Sequence, residues 1–232
     1  MKKFFLLKLT SLFYYLLLKI KLFWSFSQEG EDLIIDRIFK TKKIQYNEIF
    51  YLDIGSGHPI KYSNTFYFYI RGSRGICVDA FDKNIKLHRL LRPRDKSFDL
   101  ILGNDEKLID YYVFNQSELN TTSKKRVNEL KEHNFLSLYT QKKNQLMKND
   151  FFSKKVEEDI KRINLFSIDI EGAELDVVRS INWENFKPEI ICIEIITKNL
   201  DDLYDNEVFK ILIQNNYTFY SKLINSVIFI KN

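Results

Sequence analysis

From Ser27 onward the chain alternates apolar runs of strand length with stretches spaced like amphipathic helices. "EDLIIDRIF" places Leu33, Ile34, Arg37 and Ile38 as a short helix, and "EIFYLDI" follows as an apolar strand that ends in a glycine turn. "YSNTFYFYIRG" reads as a helix stopped by Gly72, "GICVDA" as a second strand, "FDLILGND" as a third and "DYYVFN" as a short fourth. A long polar region, 115–162, intervenes. The alternation then resumes with strand "INLFSIDI", helix "AELDVVRSI", strand "PEIICIEII", a helix around "NEVFKILIQNN", and the closing strands "YTFYSKL" and "INSVIFIKN". This order predicts an α/β fold: a Rossmann-like, doubly wound, mostly parallel sheet with an antiparallel C-terminal edge.

Residues 1–26 stand apart from that pattern as a separate N-terminal segment, leaving 27–232 as one domain with 117–162 as an acceptor-side insertion. The segment contains Lys2, Lys3, Lys8, Lys19 and Lys21 and no acid, so it carries the whole net charge of +5. Its longest uncharged run, Leu9 to Leu18, is too short for a bilayer-spanning helix. On a helical wheel Lys3, Lys8, Thr10, Ser11, Lys19 and Lys21 share one half of the circumference and the other is largely Leu and Phe, which suits a helix lying in an anionic membrane surface. The alternative is a helix packed on the domain or on a partner subunit. The locally basic 117–162 region lacks aromatic interleaving, so no nucleic-acid partner is expected. Cys77 and Cys192 fall inside apolar strands, which fits a reducing, cytoplasmic setting. With three scattered histidines and no CxxC, no metal site is expected.

In doubly wound sheets the ligand sits beyond the carboxyl ends of the strands, so the polar strand ends are the candidate site: Asp53 with Gly55 and Gly57, Asp79, Asn104 with Asp105, and Asp169 with Glu171. A nicotinamide dinucleotide fits poorly. The third glycine of G-x-G-x-x-G is replaced by Ile60, and Asp53 would repel a pyrophosphate. S-adenosyl-L-methionine carries no phosphate; its sulfonium, ammonium, ribose diol and adenine amine all want acceptors. Asp79, near the usual spacing for a ribose ligand, and Asn104 or Asp105 for the adenine amine, meet that need. Taken singly, the D-x-G turn could be a mere strand terminator and Asp79 a helix cap.

The segments "SQEGEDLIIDRIF", "FYLDIGSGHPIKYSNTFYFYIRGSRGICVDA", "LILGNDEKLIDYYVF", "NTTS" and "FSIDIEGAELDVVRSINW…KPEIICIEI" cover most of residues 27–196, and through them the sequence resembles the FkbM-type methyltransferases. The resemblance implies a class I methyltransferase fold and adenosylmethionine-dependent methyl transfer, most often to a sugar or polyketide-type hydroxyl. By the resemblance Asp53, Gly55, Gly57 and Asp79 belong to the cofactor site, with Asn64 and Asn104/Asp105 contributing. Where many relatives carry Glu, this chain has Asp79, one methylene shorter.

An unactivated hydroxyl needs a base. Asp169 and Glu171, two apart at a strand end, project to one face if the strand continues, and His58 follows the glycine turn; these three are the catalytic candidates. The competing reading has Glu171 and Glu174 capping the next helix and His58 merely shaping its turn. The expected acceptor is a sugar hydroxyl of a surface-glycan precursor. The alternative function is a non-catalytic partner in glycan assembly; a metal-dependent hydrolase lacks the histidines it would need.

Overall fold

The computed structural model describes residues 24–102, 108–114, 119–132, 141–148, 156 and 159–232. Expectations for residues 1–23, for Asn104 and for Asp105 fall outside the described residues.

The chain runs α1 (Glu31–Thr41), β1 (Phe50–Ile54), α2 (Phe66–Tyr69), β2 (Arg74–Asp79), α3 (Asp82–Leu91), β3 (Lys96–Asp99), β4 (Ile101–Leu102) and β5 (Leu108–Val113). It continues with α4 (Lys124–Glu132), β6 (Gln141–Lys148), β7 (Leu165–Ile168), α5 (Glu174–Ser180), β8 (Ile190–Glu194), α6 (Leu200–Asp205), α7 (Glu207–Gln214), β9 (Tyr217–Lys222) and β10 (Ser226–Lys231). A seven-stranded sheet in the order β3-β2-β1-β7-β8-β10-β9 forms the centre. Neighbours from β3 to β8 pair in parallel, and β10 runs antiparallel to both β8 and β9. Successive strands build outward from β1 through β2 to β3, whereas β7 returns to the other side of β1. The order therefore reverses between β1 and β7, where such sheets open a crevice.

Both sheet faces are covered, which is why β1 and β7 are buried along their whole length and read as apolar runs broken only by Asp53 and Ser167. On one face Leu52, Ile54, Phe166 and Ile168 pack against Val177 and Val178 of α5 and Leu212 of α7. On the other, Tyr51, Cys77, Leu165 and Cys192 pack against Ile35, Ile38 and Phe39 of α1 and Phe68 of α2.

Several elements depart from the sequence expectation, including α3 and α6, which it did not foresee. The third strand breaks at Leu100, whose amide donates to the Asp79 carbonyl at 3.2 Å; Ile101 and Leu102 then leave for a second, three-stranded sheet ordered β4-β6-β5. The expected fourth strand is β5 of that second sheet. The polar 115–162 region holds α4 and β6. Helix α2 is four residues long, because Ser63 Oγ takes the Phe66 amide at 3.1 Å and starts the helix late.

A buried arginine binds the carboxyl end of α3 to the strands. Arg92 and Asp95 are both fully buried and paired at 2.8 Å. Arg92 also donates to Tyr51 Oη at 2.8 Å and Thr65 Oγ1 at 3.0 Å, while Asp95 accepts from the Tyr51 hydroxyl at 2.8 Å and the Gly75 amide at 2.9 Å. The lone pairs and N–H groups are thus mostly satisfied, the condition for a buried pair to be tolerated. Arg92→Leu, which strands the Asp95 charge, should cost about 3–5 kcal/mol in chemical denaturation. The Arg92→Leu/Asp95→Leu double variant should lose clearly less than the sum of the singles; additive losses would refute the coupling.

Candidate functional site

At the carboxyl ends of β1 and β7 opens a cavity of about 240 Å³. The glycine turn forms its floor. Gly55 has φ +76°, and a Cβ there would lie 1.7 Å from the Asp169 carbonyl oxygen, so only glycine lets the turn pass the end of β7. The turn's amides point into the protein: those of Gly55 and Ser56 donate to the Val78 carbonyl at 2.9 and 3.0 Å, and that of Gly57 to Asp79 Oδ2 at 2.7 Å. None is left for a phosphate. Beneath the turn, buried His88 donates through Nε2 to the Gly57 carbonyl at 3.1 Å; burial lowers this imidazole to about 3, so it stays neutral.

Asp79 lines the cavity, as the sequence led us to expect, and accepts from the Phe81 amide on its other oxygen at 2.7 Å. Oδ2 also takes a long hydrogen bond from Asn84 Nδ2 at 3.5 Å, so Oδ1 keeps the clearer lone-pair site for a ribose hydroxyl. Burial raises its carboxyl to about 6.

Asp53 and Asn64 are not among the lining residues. The reason is strand alternation: Asp53 shares the side of β1 that carries Tyr51. Its carboxylate accepts from Thr65 Oγ1 at 2.6 Å, and burial holds it above the usual range. Asn64 donates to Ser167 Oγ at 3.2 Å and to Cys192 Sγ at 3.8 Å. Both therefore support the loop 58–65 from behind the cavity.

The opposite end of the cavity is acidic. The chain does not stay extended after β7: Glu171 has φ +54° and Gly172 φ +101°, a sharp turn that still leaves Asp169 and Glu171 both lining the cavity. Glu171 is paired with Arg126 Nε at 3.1 Å, and its carbonyl accepts from Thr121 Oγ1 at 2.7 Å. Glu174 closes the turn by accepting the amides of Ile170 at 3.0 Å and Gly172 at 3.1 Å; both precede the helix, which has no side-chain cap, so Glu174 holds the turn rather than capping the helix. Glu194, at the end of β8, lines the same space. Sequence reasoning passed over it although it obeys the same strand-end rule; Arg126 carried no sequence signal.

Oxygens of Asp169, Glu174 and Glu194 lie within 4.8 Å of one another, so this trio is the place among the described residues that could hold a divalent ion. Desolvation at the depth of the cavity, and then the Glu171 and Glu174 carboxylates, push Asp169 well above the usual range even though its side chain is exposed to the cavity. Desolvation followed by Asp169 and Glu171 does the same to Glu194. His58 also lines the cavity, but its Nδ1 accepts the amides of Ile60 and Lys61, each at 3.1 Å. The neutral ring therefore carries its proton on Nε2 and has no lone pair left for a base, which favours the turn-shaping role.

Asp79→Asn should weaken S-adenosylmethionine binding by about 1.5–3 kcal/mol in calorimetry, the worth of hydrogen bonds to a charged acceptor. Because the folded carboxyl titrates near 6, affinity should be full at pH 7 to 8 and fall as pH drops through 6, with the variant flat over that range. In the free protein the sign is opposite: a raised carboxyl stabilises the fold most below pH 4, and that contribution is lost as pH rises through 6. Unchanged affinity in the variant would remove Asp79 from the cofactor.

Among the described residues no helix is long and apolar enough to cross a membrane. No curated protein matches the chain at a significant level. Among solved structures, Aeropyrum pernix fibrillarin in complex with natively bound S-adenosyl-L-methionine aligns with a TM-score of 0.41 and 12% identity, over 80% of this chain and 66% of that one. The family model described as the methyltransferase FkbM domain matches residues 53–219, well over half of the sequence and spanning the glycine turn, Asp79 and the Asp169–Glu174 turn. The chain belongs to the FkbM methyltransferase domain family, whose cofactor is S-adenosylmethionine.

Proposed function

We propose that the chain is an S-adenosylmethionine-dependent O-methyltransferase that acts at the cytoplasmic face on a sugar hydroxyl of a surface-glycan precursor. The observation that supports this reading most is the state of Asp169. Its carboxylate opens on the cavity, accepts no hydrogen bond from the described residues and is held above the ordinary carboxylate range. Its neighbours are engaged elsewhere: Glu171 with Arg126, Glu174 with two amides. Of these three carboxylates Asp169 is the one free to take a proton.

S-adenosylmethionine supplies an electrophilic methyl group, so the protein has to align a hydroxyl and remove its proton. The Asp169 carboxylate accepts that proton as the oxygen–carbon bond forms and the carbon–sulfur bond breaks. A raised carboxyl is the better base, since its affinity for the proton lies closer to working pH. Four acidic side chains, Asp79, Asp169, Glu171 and Glu194, face two cations, Lys61 and Arg126, among the described cavity residues, and the sulfonium and ammonium of the cofactor would offset the excess. Around the acceptor side, Asn120, Thr121, Thr122 and Asn225 offer the hydrogen-bonding groups a polyol needs. The buried thiols of Cys77 and Cys192 are free, consistent with a reducing compartment.

Incubation with methyl-labelled cofactor and a panel of nucleotide-linked and lipid-linked sugars should place label in an alkali-stable methyl ether. Label that alkali releases would indicate ester formation, and absence of both transfer and thermal stabilisation by the cofactor would favour the non-catalytic reading. Asp169→Asn should lower turnover about 10²–10⁴-fold while leaving cofactor affinity within about threefold, and it should abolish a rise of turnover with pH. Loss of cofactor binding instead would reassign Asp169.

A further inference from the structure

The mouth of the cavity carries apolar side chains that no described residue covers. Tyr62 is 49% exposed and Ile196 55% exposed, and both line the cavity. Ile224, 78% exposed, occupies the β9–β10 turn beside the lining residue Asn225. Trp24, 66% exposed, stands where the N-terminal segment enters the fold. That entry point is fixed to the same rim: the Phe26 carbonyl accepts the Ser63 amide at 3.0 Å, the Phe26 ring packs edge-on against Phe66, and Asp32 takes the Phe26 amide at 2.7 Å. Basic groups accompany the apolar ones. The Lys61 ammonium lies 4.3 Å from the centroid of the Tyr62 ring, and Lys222 Nζ sits on the Ile224 carbonyl at 2.7 Å. The nearby Glu29 carboxylate is turned onto the Asn225 amide at 3.0 Å.

A Trp, a Tyr and two Ile with flanking lysines make the composition that a membrane interface selects. Residues 1–23, which precede Trp24 in the sequence, contain five further lysines and no acid. We propose that the cavity mouth docks face-down on an anionic lipid bilayer, so that the acceptor is presented to the cavity as the headgroup of an amphiphile. This deepens the methyltransferase reading and rests on it for the acceptor. The docking itself rests on the rim.

Trp24 and Trp183 are the only tryptophans, so a Trp183→Phe chain reports from the rim alone. With vesicles of 70% phosphatidylcholine and 30% phosphatidylglycerol, its emission should shift to the blue; pure phosphatidylcholine should shift it less. In co-sedimentation of the full chain, Trp24→Ser/Ile224→Glu should weaken vesicle binding at least about tenfold. Leu90→Glu, an exposed apolar site at the far end of α3, should bind as the unaltered chain does. Failure of the full chain to bind, full-strength binding by the double variant, or an equal loss in Leu90→Glu would each overturn the docking. Thermal stabilisation by S-adenosylmethionine on the same preparations reads the methyltransferase assignment separately. Stabilisation without vesicle binding sinks this inference alone, and vesicle binding without stabilisation sinks the other.

Discussion

The site depends on a charge pair that takes no part in it. Arg92 and Asp95 lie wholly out of solvent, and between them they hold Tyr51 of β1, the Gly75 amide of β2 and Thr65 of the loop that returns from the cavity. Thr65 in turn holds Asp53. One guanidinium thereby sets the spacing of the two strands whose carboxyl ends carry the glycine turn and Asp79. An apolar group of similar size could fill the space, but it could not fix the direction of three polar partners at once. The aspartate that begins the glycine motif belongs to this scaffold.

In front of that scaffold the balance is reversed. The cavity gathers Asp169, Glu171 and Glu194 around Arg126, and desolvation with mutual repulsion holds Asp169 and Glu194 well above their ordinary range. Such an arrangement is costly in the empty protein and becomes favourable when a cation enters. The turn at Glu171 and Gly172, both at positive φ, departs from the extended strand yet leaves Asp169 and Glu171 both lining the cavity.

Much of this was legible in the sequence because buried parallel strands announce themselves as apolar runs, and their polar ends mark the crevice. Asp79 and Asp169 follow from that rule, and Glu194 would have. Helix α3 was invisible for a physical reason: it buries Asn84 and His88 and exposes Leu87, Leu90 and Leu91, so its apolar pattern faces outward. Asp53 was misplaced because strand alternation assigns it to the side of Tyr51, and no local signal tells a cavity-facing acid from one held by a distant arginine. Arg126 came from a polar region whose fold is set by tertiary contacts with the Asp169–Glu174 turn.

The central claim is that the acidic cavity is matched to a cationic cofactor. Calorimetric titration of S-adenosylmethionine near pH 7, repeated in buffers of different ionisation enthalpy, counts the protons exchanged on binding. Carboxyls held partly protonated in the free protein should ionise as the sulfonium and ammonium arrive, so protons should be released, and fewer should be released with S-adenosylhomocysteine, which lacks the sulfonium charge. Proton uptake, or equal release with both ligands, would contradict the claim.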